Sequence, residues 1–219
     1  FHNVETIFEK IDLRDEIIIK EKGRGLKVEV SAADCSSGKE NTVYKAAQRL
    51  FKETGSKLNL RIEIKKKIPV SAGLGGGSSD AAAVLSALNR IWGLNFPVSR
   101  LKKLAMKLGS DAPFFISGRR AMVTGKGEKI RIIKRKKTFW YVIVALKGQK
   151  VPTPEAYKWY DRDFRLTLSL KNTILVPRLM RDANIPLSVF AQHNDFEAPV
   201  FKRRKKLAGD KKALLRCKN

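Results

Sequence analysis

The sequence predicts an α+β fold in two lobes, in which mixed sheets pack against helices. Two patterns support this prediction. Hydrophobic residues recur at every second position over residues 26–30 and 58–64, as they do in half-buried strands. They recur at helical spacing over residues 40–55 and 80–94. The chain has 219 residues, of which 43% are hydrophobic, and this is enough to bury a substantial core.

The first part of the chain predicts strands around one helix. Asn41 is suited to cap the start of that helix and Gly55 to end it. In chain order, the elements are two strands or one bent ribbon over residues 6–13 and 16–21, a strand over 26–30, a helix within 40–55, and a strand over 58–64 that ends near Pro69.

The second part of the chain predicts two further helices and several strands. In chain order, the elements are a helix over residues 80–94 that Gly93 closes, a helix over 99–108, a tight segment at 111–115 leading toward a strand, a strand–turn–strand over 121–133, a central strand over 139–146, and a helix over 172–183 interrupted by Pro177. The strand over 139–146 is nearly all apolar, so we expect it to be buried on both faces.

A charged run at residues 134–138 is the predicted boundary between the lobes. We therefore expect one lobe over residues 1–138 and a second over residues 139–219.

The chain is strongly basic. Lys and Arg total 46 against 21 acidic residues, a formal net charge of +25. This charge is compatible with three interpretations: a nucleic-acid partner, a polyanionic substrate, or a lysine-rich composition spread over solvated faces. Two basic runs, at residues 126–137 and 202–219, lack interleaved stacking aromatics, and no nucleic-acid-binding motif is present. We therefore expect no specific nucleic-acid partner.

No stretch of 18 or more apolar residues is present, so we expect no membrane span. The first ten residues lack the basic head and apolar run of a signal peptide. The two cysteines, Cys35 and Cys217, indicate unpaired thiols in a reducing cytoplasm. The oligomeric state is left open.

Residues 73–80, with the sequence GLGGGSSD, form the most informative segment of the chain. They lie between a predicted strand and an Ala-rich helix that we expect to begin near Ser78. Glycines allow the backbone to approach a ligand, and a helix start supplies unpaired N–H groups and the positive end of the helix dipole. The segment therefore predicts a phosphate-binding loop.

Three alternatives for this segment are weaker. It lacks the terminal Lys-Ser/Thr pair of a P-loop. It does not match the dinucleotide-binding pattern, because Ser78 occupies the position of the third glycine. A flexible Gly/Ser linker would not be expected to lie directly between a strand and a helix.

The segment KKKIPVSAGLGGGSSDAAAVLSALNRIW resembles the ATP-binding motif of the galactokinase, homoserine kinase, mevalonate kinase and phosphomevalonate kinase (GHMP) superfamily. Within it, the chain resembles the 4-diphosphocytidyl-2-C-methyl-D-erythritol kinases of the non-mevalonate isoprenoid pathway. Four more blocks carry this resemblance in the same order: FHNVETIFEKIDLRDEI, LGSDAPFFISGRRAMVTGKGE, VPTPEAY and HNDFEAPVF. The first and third of these argue against another kinase of the superfamily.

The resemblance implies an ATP-dependent kinase that phosphorylates a hydroxyl group. Asp111 stands at the position of the family's catalytic base, and the alternative interpretation is a helix-capping Asp. ATP phosphates would be bound by the loop residues Gly73, Leu74, Gly75, Gly76, Gly77, Ser78 and Ser79.

For adenine and ribose, the resemblance indicates Asn41 and Lys66. Which of the three adjacent lysines at positions 65–67 faces the ligand is left open. Mg²⁺ is expected because phosphoryl transfer needs a cation bridging the β- and γ-phosphates. Ser78 or Ser79 is a possible contact for the ion, and no acidic cluster fixes its site.

The resemblance also implies a small-molecule cytidine diphosphate substrate. Phe1 and His2 occupy the Tyr-His position that holds the cytosine ring in the family, and Tyr157 is the aromatic residue expected on the other side. Thr153, in the same block, is a weaker candidate. Without the resemblance, these residues would be read as a frayed terminus and a surface aromatic.

Two family segments are absent. One is the first strand, of PAKINL type, whose Lys partners the catalytic Asp; the other is a late Gly-Ser/Thr-Gly segment near the phosphates. We therefore expect a fragment with an incomplete C-terminal lobe and little or no activity.

Overall fold

The computed structural model describes residues 3–55, 59–134, 140–146, 149, 151–164 and 194–217. These residues form an α+β fold, as the sequence predicts. The strands are β1 (Val4–Glu9), β2 (Glu16–Lys20), β3 (Gly25–Val30), β4 (Asn59–Lys65), β5 (Arg120–Gly125) and β6 (Lys129–Ile132). The helices are α1 (Thr42–Thr54), α2 (Gly76–Ile91), α3 (Val98–Met106), α4 (Ala112–Ser117), α5 (Thr153–Phe164), α6 (Glu197–Arg203) and α7 (Lys205–Arg216).

The described residues divide into two compact units. The first contains residues 3–55, 59–70 and 74–134, and the second contains residues 71–73, 140–146, 149, 151–164 and 194–217. The lobe boundary after residue 138 stays a prediction.

The strands of the first unit form two sheets, each three-stranded within the described part of the chain. In the order β1–β5–β6, all neighbours are antiparallel. In the order β2–β4–β3, β4 is antiparallel to β2 and parallel to β3. The parallel pair requires a crossover, which α1 provides. The first two strands therefore belong to different sheets and are not one bent ribbon.

The main core lies between the β2–β4–β3 sheet and helices α1 and α2. The alternation predicted in β4 places its even-numbered residues inward, and the helical spacing in α1 places one face inward. The inward residues of these two elements are Leu60, Ile62 and Ile64 in β4, and Val43, Ala46, Ala47 and Leu50 in α1. Burial of each large aliphatic side chain contributes about 1.5–3 kcal/mol.

The ends of α1 confirm the two predicted caps, and the start of α2 differs slightly from its predicted position. The side-chain oxygen of Asn41 accepts a hydrogen bond from the N–H of Val43 at 2.8 Å, so Asn41 caps α1. Gly55 ends α1 with a φ of 67°, which favours glycine. The sequence predicted that α2 begins near Ser78. The helix begins two residues earlier, at Gly76.

The second unit contains α5, α6 and α7. Helix α5 packs against α6, and α6 against α7. The Arg203 guanidinium binds both carboxylate oxygens of Asp163, at 2.6 and 3.0 Å. The rings of Tyr157 and Tyr160 contact the Phe196 ring edge-on, with centroid separations of 4.9 and 5.9 Å.

The predicted central strand over residues 139–146 is wrong for the part that is described. Residues 140–146 have no regular secondary structure, and Trp140 and Val142 are 97% and 91% exposed. Among the described residues, no strand pairs with this segment. Apolar composition alone cannot form a strand without a neighbour that satisfies the backbone hydrogen bonds.

Two other predictions concern elements later in the chain. The tight segment at residues 111–115 is part of a short helix, α4, which precedes β5. The predicted helix over residues 172–183 lies outside the described residues. No helix in the described part of the chain is long and apolar enough to cross a membrane.

Candidate phosphate-binding site

The first turn of α2 presents backbone donors that the helix itself leaves without partners. The N–H of Ser79 donates to the carbonyl of Gly75 at 2.8 Å, and this is the first hydrogen bond of the helix. The N–H groups of Gly76, Gly77 and Ser78 precede that bond, so the helix leaves them without intrahelical partners. These residues are at least partly exposed. Their donors and the positive end of the helix dipole together suit an anion.

Close packing explains why glycines occupy this turn. Gly75 has a φ of 68°, and a Cβ built on it would lie 3.1 Å from the ring of Phe115. A Cβ on Gly77 would lie 3.3 Å from the hydroxyl of Thr42. The glycines therefore let α4 and α1 approach the start of α2, in addition to leaving the backbone accessible.

The N-termini of α1 and α2 lie side by side. The Thr42 hydroxyl, at the start of α1, donates to the carbonyl of Gly77 at 3.0 Å. The neighbouring Asn41 is buried, and its amide nitrogen donates to the carbonyl of Ser36 at 2.7 Å while its oxygen caps α1. The predicted contact of Asn41 with adenine or ribose stays a prediction.

Lys66 is the inward-facing lysine of the three. It continues the even-numbered inward pattern of β4, and its side chain is 7% exposed, whereas that of Lys65 is 55% exposed. The structure thus answers which of these two lysines points toward the loop. The predicted contact of Lys66 with ATP stays a prediction.

The Lys66 ammonium lies between two buried carboxylates. It is hydrogen-bonded to Asp15 and lies 2.9 Å from Asp80, and these two side chains are 1% and 6% exposed. The second oxygen of Asp15 accepts the N–H groups of Lys67 and Ile68, at 2.5 and 2.8 Å. We call Asp15, Lys66 and Asp80 the Lys66 cluster.

The three members of the Lys66 cluster have shifted pKa values. Burial raises the pKa of Asp80 to about 6, although its contact with Lys66 acts in the opposite direction. Burial also acts to raise the pKa of Asp15, but hydrogen bonds from Lys66 and from two backbone N–H groups outweigh it and lower that pKa. Burial acts to lower the pKa of Lys66, but the two carboxylates raise it on balance.

Asp111 lies at the start of α4, close to the loop. Its side chain makes no capping hydrogen bond, and its Oδ1 accepts a hydrogen bond from the Ser110 hydroxyl at 3.1 Å. A Cβ on Gly109 would lie 3.3 Å from the Ser78 hydroxyl, so the turn that carries Asp111 contacts the first turn of α2. The β5–β6 turn contacts the same segment, because a Cβ on Gly127 would lie 3.0 Å from Ser110.

The remaining predicted site residues lie elsewhere. Thr153 begins α5 and Tyr157 follows one turn later, both in the second unit. Gly73, with a φ of 73°, also belongs to that unit. Phe1 and His2 lie outside the described residues.

Two further features of the described ranges concern metal-ligating side chains and free thiols. In these ranges, no group of three His, Cys, Asp or Glu side chains is placed to hold a metal ion. Cys35 and Cys217 are free thiols, and burial raises the pKa of Cys35.

Sequence reasoning missed Asp15 and Asp80. One signal was present: Lys66 continues the inward positions of β4, and a buried ammonium requires an acidic partner. Asp80 ends the glycine motif, so it was an available candidate. Asp15 lies 51 positions before Lys66, and only the fold brings the two together.

The comparisons with known proteins identify the family of the chain. Residues 41–119 match the model of the GHMP kinases N terminal domain. A 4-diphosphocytidyl-2-C-methyl-D-erythritol kinase of Geobacter sulfurreducens is 36% identical, over 98% of this chain and 75% of the relative. The kinase of that name from Chlorobaculum tepidum is 38% identical, over 92% of this chain and 69% of the relative.

A solved structure extends the likeness to the fold. The crystal structure of a 4-(cytidine 5′-diphospho)-2C-methyl-D-erythritol kinase matches with a TM-score of 0.65 and 31% identity, over 95% of this chain and 72% of that one. Because both sequence relatives and this solved structure agree, the chain belongs to the 4-diphosphocytidyl-2-C-methyl-D-erythritol kinase family.

Proposed function

We propose that this chain transfers the γ-phosphate of ATP to the 2-hydroxyl of 4-diphosphocytidyl-2-C-methyl-D-erythritol, a step of the non-mevalonate isoprenoid pathway in the cytoplasm. Family membership supports the reaction. The observation that supports this reaction in this chain is that the exposed first turn of α2 lies beside the turn of Asp111. An anion-binding turn next to a carboxylate is the pair of groups that phosphoryl transfer to an alcohol requires.

The phosphates of ATP would be bound by the N–H groups at the start of α2. Gly76, Gly77 and Ser78 supply backbone donors, and the hydroxyls of Ser78 and Ser79 supply side-chain donors. Donors fixed by the helix need no reorganisation as negative charge develops on the transferring group.

Mg²⁺ fits this site through the serine hydroxyls of the first turn of α2. A serine hydroxyl, phosphate oxygens and water are ligands that the ion accepts without an acidic cluster. We propose Ser78 or Ser79 as the protein contact. When bound, the ion would neutralise charge on the β- and γ-phosphates.

Asp111 would act as the general base. Its carboxylate accepts the proton of the substrate hydroxyl, the hydroxyl oxygen forms the new bond to the γ-phosphorus, and ADP departs with the electrons of the broken bond. The hydrogen bond from Ser110 to Oδ1 helps to orient the carboxylate and leaves the other oxygen for the substrate.

The cytidine end of the substrate would be bound by aromatic side chains. We propose stacking on Tyr157 and Phe1, with His2 and Thr153 as polar contacts. Tyr157 already has an aromatic environment on one side, since its ring meets Phe196.

A single-turnover assay with γ-³²P-ATP tests the proposal, because it detects slow transfer. Asp111→Asn should reduce phosphate transfer to the cytidine substrate by at least about 100-fold while leaving ATP affinity within about threefold. Asp12→Asn, which makes the same change at an exposed position, is the matched control. Near-normal transfer by Asp111→Asn would exclude Asp111 as the base, and transfer only to a different alcohol would exclude the proposed acceptor.

A further inference from the structure

The Lys66 cluster lies directly behind the phosphate-binding turn. A Cβ built on Gly76, the first residue of α2, would lie 3.3 Å from the Lys66 ammonium. Asp80, the fifth residue of the same helix, accepts a hydrogen bond from that ammonium at 2.9 Å. The cation and its carboxylate thus lie beneath the N–H groups that face a bound anion.

The charges in and around the Lys66 cluster do not cancel. With both carboxylates ionised, one ammonium faces two negative groups, and the cluster carries a net charge of −1. The three members of the cluster, together with Asp34, act electrostatically on the Cys35 thiol in the segment before α1. Replacing the Asp80 carboxylate with a neutral side chain brings the net charge to zero, because Asp15 alone then balances Lys66.

We propose that Asp80 is a positioning residue that sets how tightly the loop binds nucleotide phosphates. Acting through Lys66, its carboxylate offsets the positive charge beneath the first turn of α2, weakens binding of the triphosphate and favours release of ADP. This inference rests on the proposed function, because it assumes that the phosphates bind at that turn.

Burial gives Asp80 the properties that this role needs. The side chain is 6% exposed, so its charge is poorly screened by solvent. A unit charge within about 10 Å of a phosphate, at an effective dielectric constant of about 20, changes affinity by roughly tenfold.

The test compares the affinities of ATP and adenosine by isothermal titration calorimetry. At pH 8, Asp80→Asn should bind ATP roughly tenfold more tightly than the wild type and bind adenosine equally. Asp80→Glu keeps the negative charge and should bind ATP as the wild type does. Glu16→Gln is the matched control, since it removes one negative charge from an exposed pair with Lys65, and it should leave ATP affinity unchanged.

The outcomes separate this inference from the proposed function. If the wild type binds no ATP, the proposed function fails. If the wild type binds ATP but Asp80→Asn binds it equally or more weakly at pH 8, only the inference is overturned, because a purely structural role predicts no gain. Should Asp80→Asn fail to fold, Asp80→Ser removes the same charge from a smaller side chain and must show the same gain.

Discussion

The β2–β4–β3 sheet carries two sets of charged side chains with different surroundings. On the outward side of β4, Lys65 pairs with Glu16 at 3.1 Å and Arg61 pairs with Glu29 at 2.8 Å, and all four side chains are at least 36% exposed. We call these pairs the exposed ion-pair row. At the end of the inward side, the members of the Lys66 cluster are at most 7% exposed.

The difference shows that burial, more than distance, decides the energetic role of an ion pair. Exposed pairs are screened by water and salt and contribute little, about 0–1 kcal/mol each. A buried charge has lost its hydration, so removal of its partner leaves it uncompensated. Lys65 and Lys66 are adjacent in sequence, and the alternation of one strand assigns them to these two environments.

The largest expected effect is that of Lys66→Met. This change leaves Asp15 and Asp80 buried without a cation, and we expect it to lower the free energy of unfolding by about 3–5 kcal/mol. The loss should be smaller at pH 5 than at pH 8, because protonated Asp80 needs no cation. Urea denaturation at both pH values measures it. Lys65→Met is the control, and a loss below about 1 kcal/mol for both variants would contradict the distinction.

A second effect is the pH dependence of stability caused by Asp80. Its folded pKa, about 6, lies above the ordinary value of 3.8, so the folded state binds the proton more tightly. The contribution of Asp80 to stability should therefore rise as pH falls through 6. Relative to Asp80→Asn, we expect the wild type to gain about 2 kcal/mol between pH 8 and pH 4.5.

The other two members of the Lys66 cluster titrate outside that window. The lowered pKa of Asp15 means that its contribution is lost only as pH falls through a value below 3.8. The raised pKa of Lys66 means that its contribution is lost only as pH rises above 10.5. Thermal denaturation of the wild type and Asp80→Asn between pH 4.5 and pH 8 checks whether the wild type gains stability as pH falls. If stability depends on pH in the same way in both proteins, Asp80 keeps its ordinary pKa.

The sequence predicted the elements whose pattern is local. The caps at Asn41 and Gly55, the alternation of β4 and the strand–turn–strand near residues 121–133 all depend on residues a few positions apart. The glycine motif likewise indicated an anion site, and the start of α2 is formed as such a site requires.

The sequence could not predict features that depend on distant neighbours. The segment at residues 139–146 has a strand composition, but composition does not specify a pairing partner. The Lys66 cluster needs Asp15, which only the tertiary fold delivers. The sequence also could not predict that Gly75 and Gly77 are needed for close helix packing, because they contact residues from other helices.

The smallest expected effect tests whether the buried ammonium is held rigidly. A Cβ on Gly76 would lie 3.2 Å from Ile68 and 3.3 Å from the Lys66 ammonium, and two carboxylates oppose movement of that ammonium. We expect Gly76→Ala to lower the free energy of unfolding by about 1 kcal/mol, because overpacking exceeds the gain in helix propensity. Gly209→Ala, inside α7 with no atom within 4 Å of the new Cβ, should instead raise it by up to about 1 kcal/mol. Urea denaturation measures both changes, and equal gains in the free energy of unfolding would mean that the Lys66 ammonium moves as freely as an exposed lysine. The Lys66 cluster and the exposed ion-pair row would then differ in solvation alone.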